Sequence, residues 1–457
     1  MNITRRALSA GLLAPLGLAA RGEAAQHPDT PARRRATKTF KEIAASLYAW
    51  DLIDQECGQI METLKETTQA NSLYLVAAMH YELRPLTDFY FPHNSTRKTY
   101  FPEDSRVYWQ PHSDSYRDSK IKPLVSDRPE FKGKDFLDTL VKAARKGGWK
   151  TGAEISHTVL DRKRAADEFV SVVQRDIWGQ PAGQLICPNN PVAMAFVLAL
   201  YSDLVKNYDL DFVQTCLRPF INGERRGSGR SGPMERLLDT VNGTCFCDSC
   251  VAAAKAEGFD LKAAQRAMLP LAQAMRSDDL EGQHYMQVLR ASNTSATGLM
   301  MQHPEIWDFL KFRCHSMTQM FARVHETCTK IKPKIDVRLN AFIYDYWELS
   351  GIEFGMLKPH LGSIRSSNYD EQEGRMEVME HKRQFLLGVR AAIGDDMLFL
   401  SSIGIRPKAT PELVRKGVLI SSECGADGLS LGHYDGASLR LLEAIGDGLR
   451  DADVRVG

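Results

Sequence analysis

No charge of either sign is in surplus along this chain: 58 Lys and Arg stand against 57 Asp and Glu, a net charge of +1. The basic residues are also scattered, so the charged stripe that a nucleic-acid backbone demands is missing and that partner class is excluded. Long apolar runs are missing too. The run from Ala10 to Ala20 falls well short of the roughly 20 residues a membrane span needs, which excludes a lasting membrane anchor. Low-complexity sequence is confined to a basic, proline-containing linker over residues 26–41. About 415 residues follow without a second break, long for one compact domain but within reach of a barrel carrying insertions. The histidines, finally, show no pair at tight metal-ligand spacing.

What is present begins with Thr4-Arg5-Arg6-Ala7-Leu8-Ser9, a short apolar run and a small-x-small site at Gly22-Glu23-Ala24. That order of charged start, apolar middle and small-residue cleavage site predicts an export signal over residues 1–25, of the twin-arginine kind. The mature protein is then expected in the periplasm or outside the cell, with no anchor once the signal is cleaved. Twin-arginine export carries folded proteins, so a metal can be inserted first.

Nine cysteines are present, and four fall into two motifs. Cys187-Pro-Asn-Asn-Pro is followed, 58 residues on, by Cys245-Phe-Cys247-Asp-Ser-Cys250. Three thiols this close form a knuckle that needs a fourth ligand from elsewhere, and four thiols suit a tetrahedral Zn²⁺. An exported chain also invites disulfides, but an odd count and a Cys-x-Cys-x-x-Cys knuckle fit them poorly. A bare reduced cluster is the third reading. Cys57 and Cys328 lie on apolar helical stripes and read as core.

Both cysteine motifs resemble the barrel-domain zinc site of the family 42 β-galactosidases. The resemblance implies a sugar-acting (β/α)₈ TIM barrel, a structural zinc held by Cys187, Cys245, Cys247 and Cys250, and a tendency to self-associate into homo-oligomers. Four thiolates leave no open position for water, so such a zinc does no chemistry. The chain is also similar to exported, glycosidase-like barrel proteins with a Cys-Phe-Cys knuckle, mostly of unassigned activity.

The alternation of β-type runs with amphipathic helices supports the same fold independently. Strands are predicted at 45–50, 72–78, 151–156, 211–217, 336–343, 362–366, 397–401 and 428–432, in a barrel domain over 42–457 with insertions at about 80–132 and 218–300. Helices are predicted near 53–64, 135–146, 191–207, 305–330, 376–393, 411–422 and 437–449.

A TIM barrel carries its site at the C-terminal ends of the strands. Residues expected there are Trp50 and Asp51 after strand one, His80 and Glu82 after strand two, and His157 after strand three. Arg218 follows strand four, and Asp345 and Tyr346 follow strand five. Asn368, Tyr369 and Asp370 follow strand six; His433, Tyr434 and Asp435 follow strand eight. Carboxylates beside aromatic rings suit a carbohydrate ligand, although Asp51 or Asp345 could equally cap a helix. The family's two catalytic glutamates, at the ends of strands four and seven, have no counterpart here: those ends read Gln214-Thr-Cys-Leu-Arg218 and Ser401-Ser-Ile-Gly-Ile-Arg406. The leading expectation is therefore a glycosidic-bond hydrolase using Asp435, Asp345 and Glu82. The alternatives are a metal-dependent sugar isomerase, epimerase or lyase built on His80, Glu82, Glu154, His157 and His433, and a non-catalytic carbohydrate-binding barrel.

Overall fold

The computed structural model describes residues 38–79, 92–98, 103–155, 160–216, 220, 233–291, 295–341 and 347–457. Eight strands form its centre: β1 Glu42–Leu47, β2 Ser72–Met79, β3 Lys150–Ile155, β4 Phe212–Cys216, β5 Asp336–Ala341, β6 Ser363–Ser366, β7 Leu398–Gly404 and β8 Gly428–Gly432. Each pairs in parallel with the next, and β8 pairs back onto β1 with Leu431 opposite Ala45. The sheet thus closes into the expected (β/α)₈ barrel. Closure needs a strand without bulk on one side: a Cβ on Gly428 would lie 2.0 Å from the Glu42 carbonyl oxygen.

Helices wrap the ring: α1 Cys57–Thr68, α2 Phe136–Lys146 and α3 Pro191–Asn207 follow the first three strands. Between β4 and β5 lie α4 Pro233–Val241, α5 Asp248–Ala256, α6 Leu261–Arg276, α7 Leu280–Ala291, α8 Ala296–Gln302 and the 28-residue α9 Pro304–Ile331. α10 Met379–Ile393, α11 Pro411–Glu423 and α12 Leu439–Asp451 complete the layer. Local chemistry sets these boundaries. Asn190 caps α3 by accepting from the N–H groups of Val192 and Ala193, with Pro191 at the first turn, where no donor is lost. Thr410 and Pro411 open α11 in the same way. Among the described residues no helix is long and apolar enough to cross a membrane.

Two strands differ most from the sequence expectation. β1 begins at Glu42 and stops at Leu47, so Trp50 sits in a turn; β7 runs on to Gly404. A hairpin, Val173–Arg175 with Pro181–Ile186, also precedes α3 and was not foreseen.

The barrel interior is filled rather than hollow. At its N-terminal end the Arg338 guanidinium donates to both Glu42 oxygens (2.9 and 3.1 Å) and to Ser363 Oγ (2.8 Å), and it lies 3.9 Å from the centroid of the Phe212 ring. Burial alone would push the Glu42 carboxyl up, but Arg338 outweighs it and holds Glu42 below its ordinary value. Stripping one partner from so buried a pair costs about 3–5 kcal/mol. Above that plug Tyr74 and Phe212 meet edge to face at 5.9 Å, and Tyr74 Oη bonds Ser430 Oγ. The lower and middle layers are thus closed by packed and paired side chains.

Candidate functional site

Because β8 is hydrogen-bonded to β1, the loops leaving their C-terminal ends are neighbours. Asp51 (3 % exposed) comes from the first loop and Asp435 (0 % exposed) from the second. Asp435 accepts from Arg406 Nη2 with both oxygens (3.3 and 3.1 Å) and from the Gly436 N–H (2.8 Å). Asp51 accepts from the Tyr48 N–H at 2.8 Å. Burial, and after it the charge of Asp435, pushes the Asp51 carboxyl well above the usual aspartate range; the Tyr48 N–H and Arg406 act against this and do not cancel it. One carboxyl of the pair is therefore favoured in its protonated form, while the other is engaged by a guanidinium.

His433 follows Gly432 directly, and its Nδ1 lies 2.7 Å from Ser46 Oγ, which stitches β8 to β1 at the rim. Tyr48 lies between Trp50 and His433, with ring centroids 4.2 and 4.9 Å away. Arg406, Asp435, Glu154 and Tyr369 all act on its phenol electrostatically, so Tyr48 sits at the centre of the group. Trp50 is wholly buried against it. A Cβ on Gly432 would lie 2.5 Å from Tyr369 Oη, so glycine is what admits that phenol to the rim.

Inside the barrel mouth Glu154 accepts from Gln214 Nε2 and, at 3.2 Å, from Arg365 Nη1; Arg365 Nη2 in turn donates to Tyr369 Oη. Gln214 Oε1 and Asn368 Oδ1 are buried without a hydrogen-bond partner among the described residues. The remaining expected residues divide. Asn368 donates to Asp370, whose carboxylate is also 3.2 Å from His381 on α10, so Asp370 is tied to the helical layer. Tyr434 turns to Gln55 and His93. His80, Glu82, His157, Arg218, Asp345 and Tyr346 lie outside the described residues. Tyr48 and Arg406 were missed by the sequence reading. The signal available for each was an inward-turned polar residue within two positions of a strand end.

Cys187, Cys245, Cys247 and Cys250 come together as one buried cluster, their sulfurs all within 4.8 Å of one another. Cys187 Sγ lies 3.3 Å from Cys250 Sγ and 3.5 Å from Cys247 Sγ. Tetrahedral Zn–S bonds of about 2.3 Å put sulfurs roughly 3.8 Å apart, so this donor set fits a metal such as zinc. Donors face the sulfurs as thiolates require: the Arg175 N–H to Cys245 and Asn189 Nδ2 to Cys250, both at 3.3 Å. Asn189 also donates to Ser316 on α9. The cluster thereby gathers the hairpin, the start of α3, the start of α5 and α9. It is the one metal-capable group of this type among the described residues.

No protein-family model matches the chain. No curated protein matches it either. Solved structures similar in fold include the glycoside hydrolase domain of PgaB (BpsB) from Bordetella bronchiseptica, at 13 % identity and a TM-score of 0.56, covering 91 % of this chain and 99 % of that one. The GH42 β-galactosidase Gan42B of G. stearothermophilus is similar at 13 % identity and TM-score 0.52, over 91 % of this chain and 57 % of its own. An α-L-fucosidase isoenzyme from Paenibacillus thiaminolyticus follows at 14 % and 0.51, with 91 % and 49 % covered. The chain thus spans about half the length of the fucosidase. These likenesses show the fold, a TIM barrel similar to the barrels of those glycoside hydrolases.

The raised carboxyl of Asp51 has a consequence for stability. Its contribution is complete below the ordinary value of 3.8 and is lost as pH rises through the higher folded value. Asp51→Asn, which removes that loss, is expected to leave acid stability unchanged and to stabilise the fold at pH 7 by on the order of 1 kcal/mol. Thermal unfolding across pH 3–8 checks this; a Tm at pH 7 unchanged or lowered contradicts it.

Proposed function

We propose that the chain is a carbohydrate-active hydrolase that cleaves a glycosidic bond, with Asp51 as the proton donor. The observation that carries this reading is the Asp51/Asp435 pair, two carboxyls in environments that separate their roles, at the end of a glycoside-hydrolase-like barrel where such enzymes work. Asp51 would pass its proton to the leaving oxygen as the C–O bond breaks. A second carboxylate would take a proton from the attacking water, or attack the sugar carbon itself, and its separation from Asp51 decides which. Asp345 and Glu82 are the residues the sequence offers for that part, with Glu154 inside the mouth as the described alternative. Asp435, paired with Arg406, has another part: its charge adds to burial in raising the Asp51 carboxyl. Tyr369 and His433 supply hydrogen-bonding groups for the sugar, and Tyr48 packs behind them. On the reading of residues 1–25 as an export signal, the substrate is met outside the cytoplasm.

Asp51→Asn is expected to lower turnover about 100-fold or more on glycosides with poor leaving groups, and much less on dinitrophenyl glycosides, whose leaving group needs no proton. Product mass and release rates over a panel of aryl glycosides and oligosaccharides measure this. Wild-type rates in Asp51→Asn would sink the assignment. A silent wild-type chain that still binds sugar would favour a non-catalytic carbohydrate-binding barrel, for which the lack of any acid over residues 398–406 already speaks.

We further propose that the four cysteines hold one structural Zn²⁺. Mass-spectrometric metal analysis should find one zinc per chain, lost in Cys250→Ser with a clear fall in Tm. A full complement of zinc in that variant, or no zinc in the unmodified chain, would overturn it.

A further inference from the structure

We propose that a groove formed by the hairpin tip and the insertion helices is a second saccharide site, separate from the barrel mouth and taking a short neutral oligosaccharide. The inference rests on the carbohydrate reading above. The groove is open to solvent, offers about 660 Å³, and its walls include Trp178 at the tip between Arg175 and Pro181, Gln273 and Arg276 on α6, and Glu281 and Tyr285 on α7.

The tip is fixed in place before any ligand arrives. Asp176 Oδ1 accepts from the N–H groups of Trp178 (3.0 Å) and Gln180 (2.8 Å), and Gln265 Nε2 on α6 donates to the Ile177 carbonyl at 2.6 Å. The Arg276 guanidinium stands 4.3 Å over the Trp178 ring centroid, a cation–π contact that fixes the orientation of the indole. Tyr285 presents its ring to solvent, 44 % exposed. Pre-set walls lower the entropy that binding has to overcome.

The lining chemistry selects the ligand. Aromatic rings offer flat apolar faces to the C–H side of a sugar, while Gln273, Arg276 and Glu281 offer donors and acceptors to its hydroxyls. A purely apolar partner, such as the greasy face of a helix, would strip water from those three polar side chains and return nothing. Arg276 is the one cation against Asp279 and Glu281 in the lining, so an anionic sugar would be repelled. A neutral oligosaccharide meets both constraints.

The test uses the full chain and four neutral probes: cellohexaose, xylohexaose, mannohexaose and laminarihexaose. Calorimetry measures affinity, and hydrogen exchange locates the contact. At least one hexaose should bind and slow exchange over residues 176–180 and 270–285. Trp178→Ala and the surface change Tyr285→Ala should each weaken that binding about tenfold. Asp51→Asn should leave it intact. Protection confined to the barrel mouth, unweakened binding in both groove variants, or no hexaose bound would each overturn the groove. Groove binding in a chain without turnover would count against the hydrolase reading alone, and turnover without groove protection against the groove alone.

Discussion

The parallel ladder between β8 and β1 is the contact on which the upper end of the molecule depends. With Leu431 set against Ala45, the two loops that leave these strands must share space. Asp51, His433 and Asp435 come together for that reason, though more than 380 residues separate Asp51 from His433 in sequence. The shared space is dry, and dryness makes the charges matter. Two carboxyls are buried there beside one partly buried guanidinium, a balance in which one acid pairs with Arg406 and the other is driven toward its neutral form. Proton donation at neutral pH asks for that asymmetry.

The cysteine cluster performs a different service. It lies away from the paired aspartates and ties together the hairpin, α3, α5 and α9. A hairpin residue donates to one sulfur, a turn asparagine links another to α9, and Cys187 ends the strand that runs into α3. Once these are fixed, Phe246 stacks on Phe309 at 5.1 Å, and the insertion gains an apolar interior. A metal in that cluster would thus stabilise an appendage that the barrel by itself could not organise.

Sequence patterns with short reach were legible. The knuckle lies within six residues, so it could be read directly. The eight strands were found because their apolar runs are bounded by turn residues. Errors arose where residue type and role part company: Tyr48 and Trp50 are strong β-formers that the structure uses in a turn, whereas Ser402 and Gly404 are weak ones inside β7. The site was less legible still. Glu154 meets Arg365 across 211 positions, and Arg406 meets Asp435 across 29, and neither pairing leaves a trace in local sequence. Strand ends narrowed the candidates to one rim of the barrel, but only the folded chain shows that Asp435 is paired with Arg406 while Asp51 accepts from a backbone N–H.

The central claim is that burial and a neighbouring charge hold Asp51 protonated. Carbon-13 NMR of the aspartate carboxyls, with Asp51 assigned by difference against its Asn variant, measures this directly. The account requires a midpoint well above 3.8 that moves part of the way back in Asp435→Asn, since burial, the larger cause, remains. A midpoint in the ordinary aspartate range, the same with and without Asp435, would contradict it.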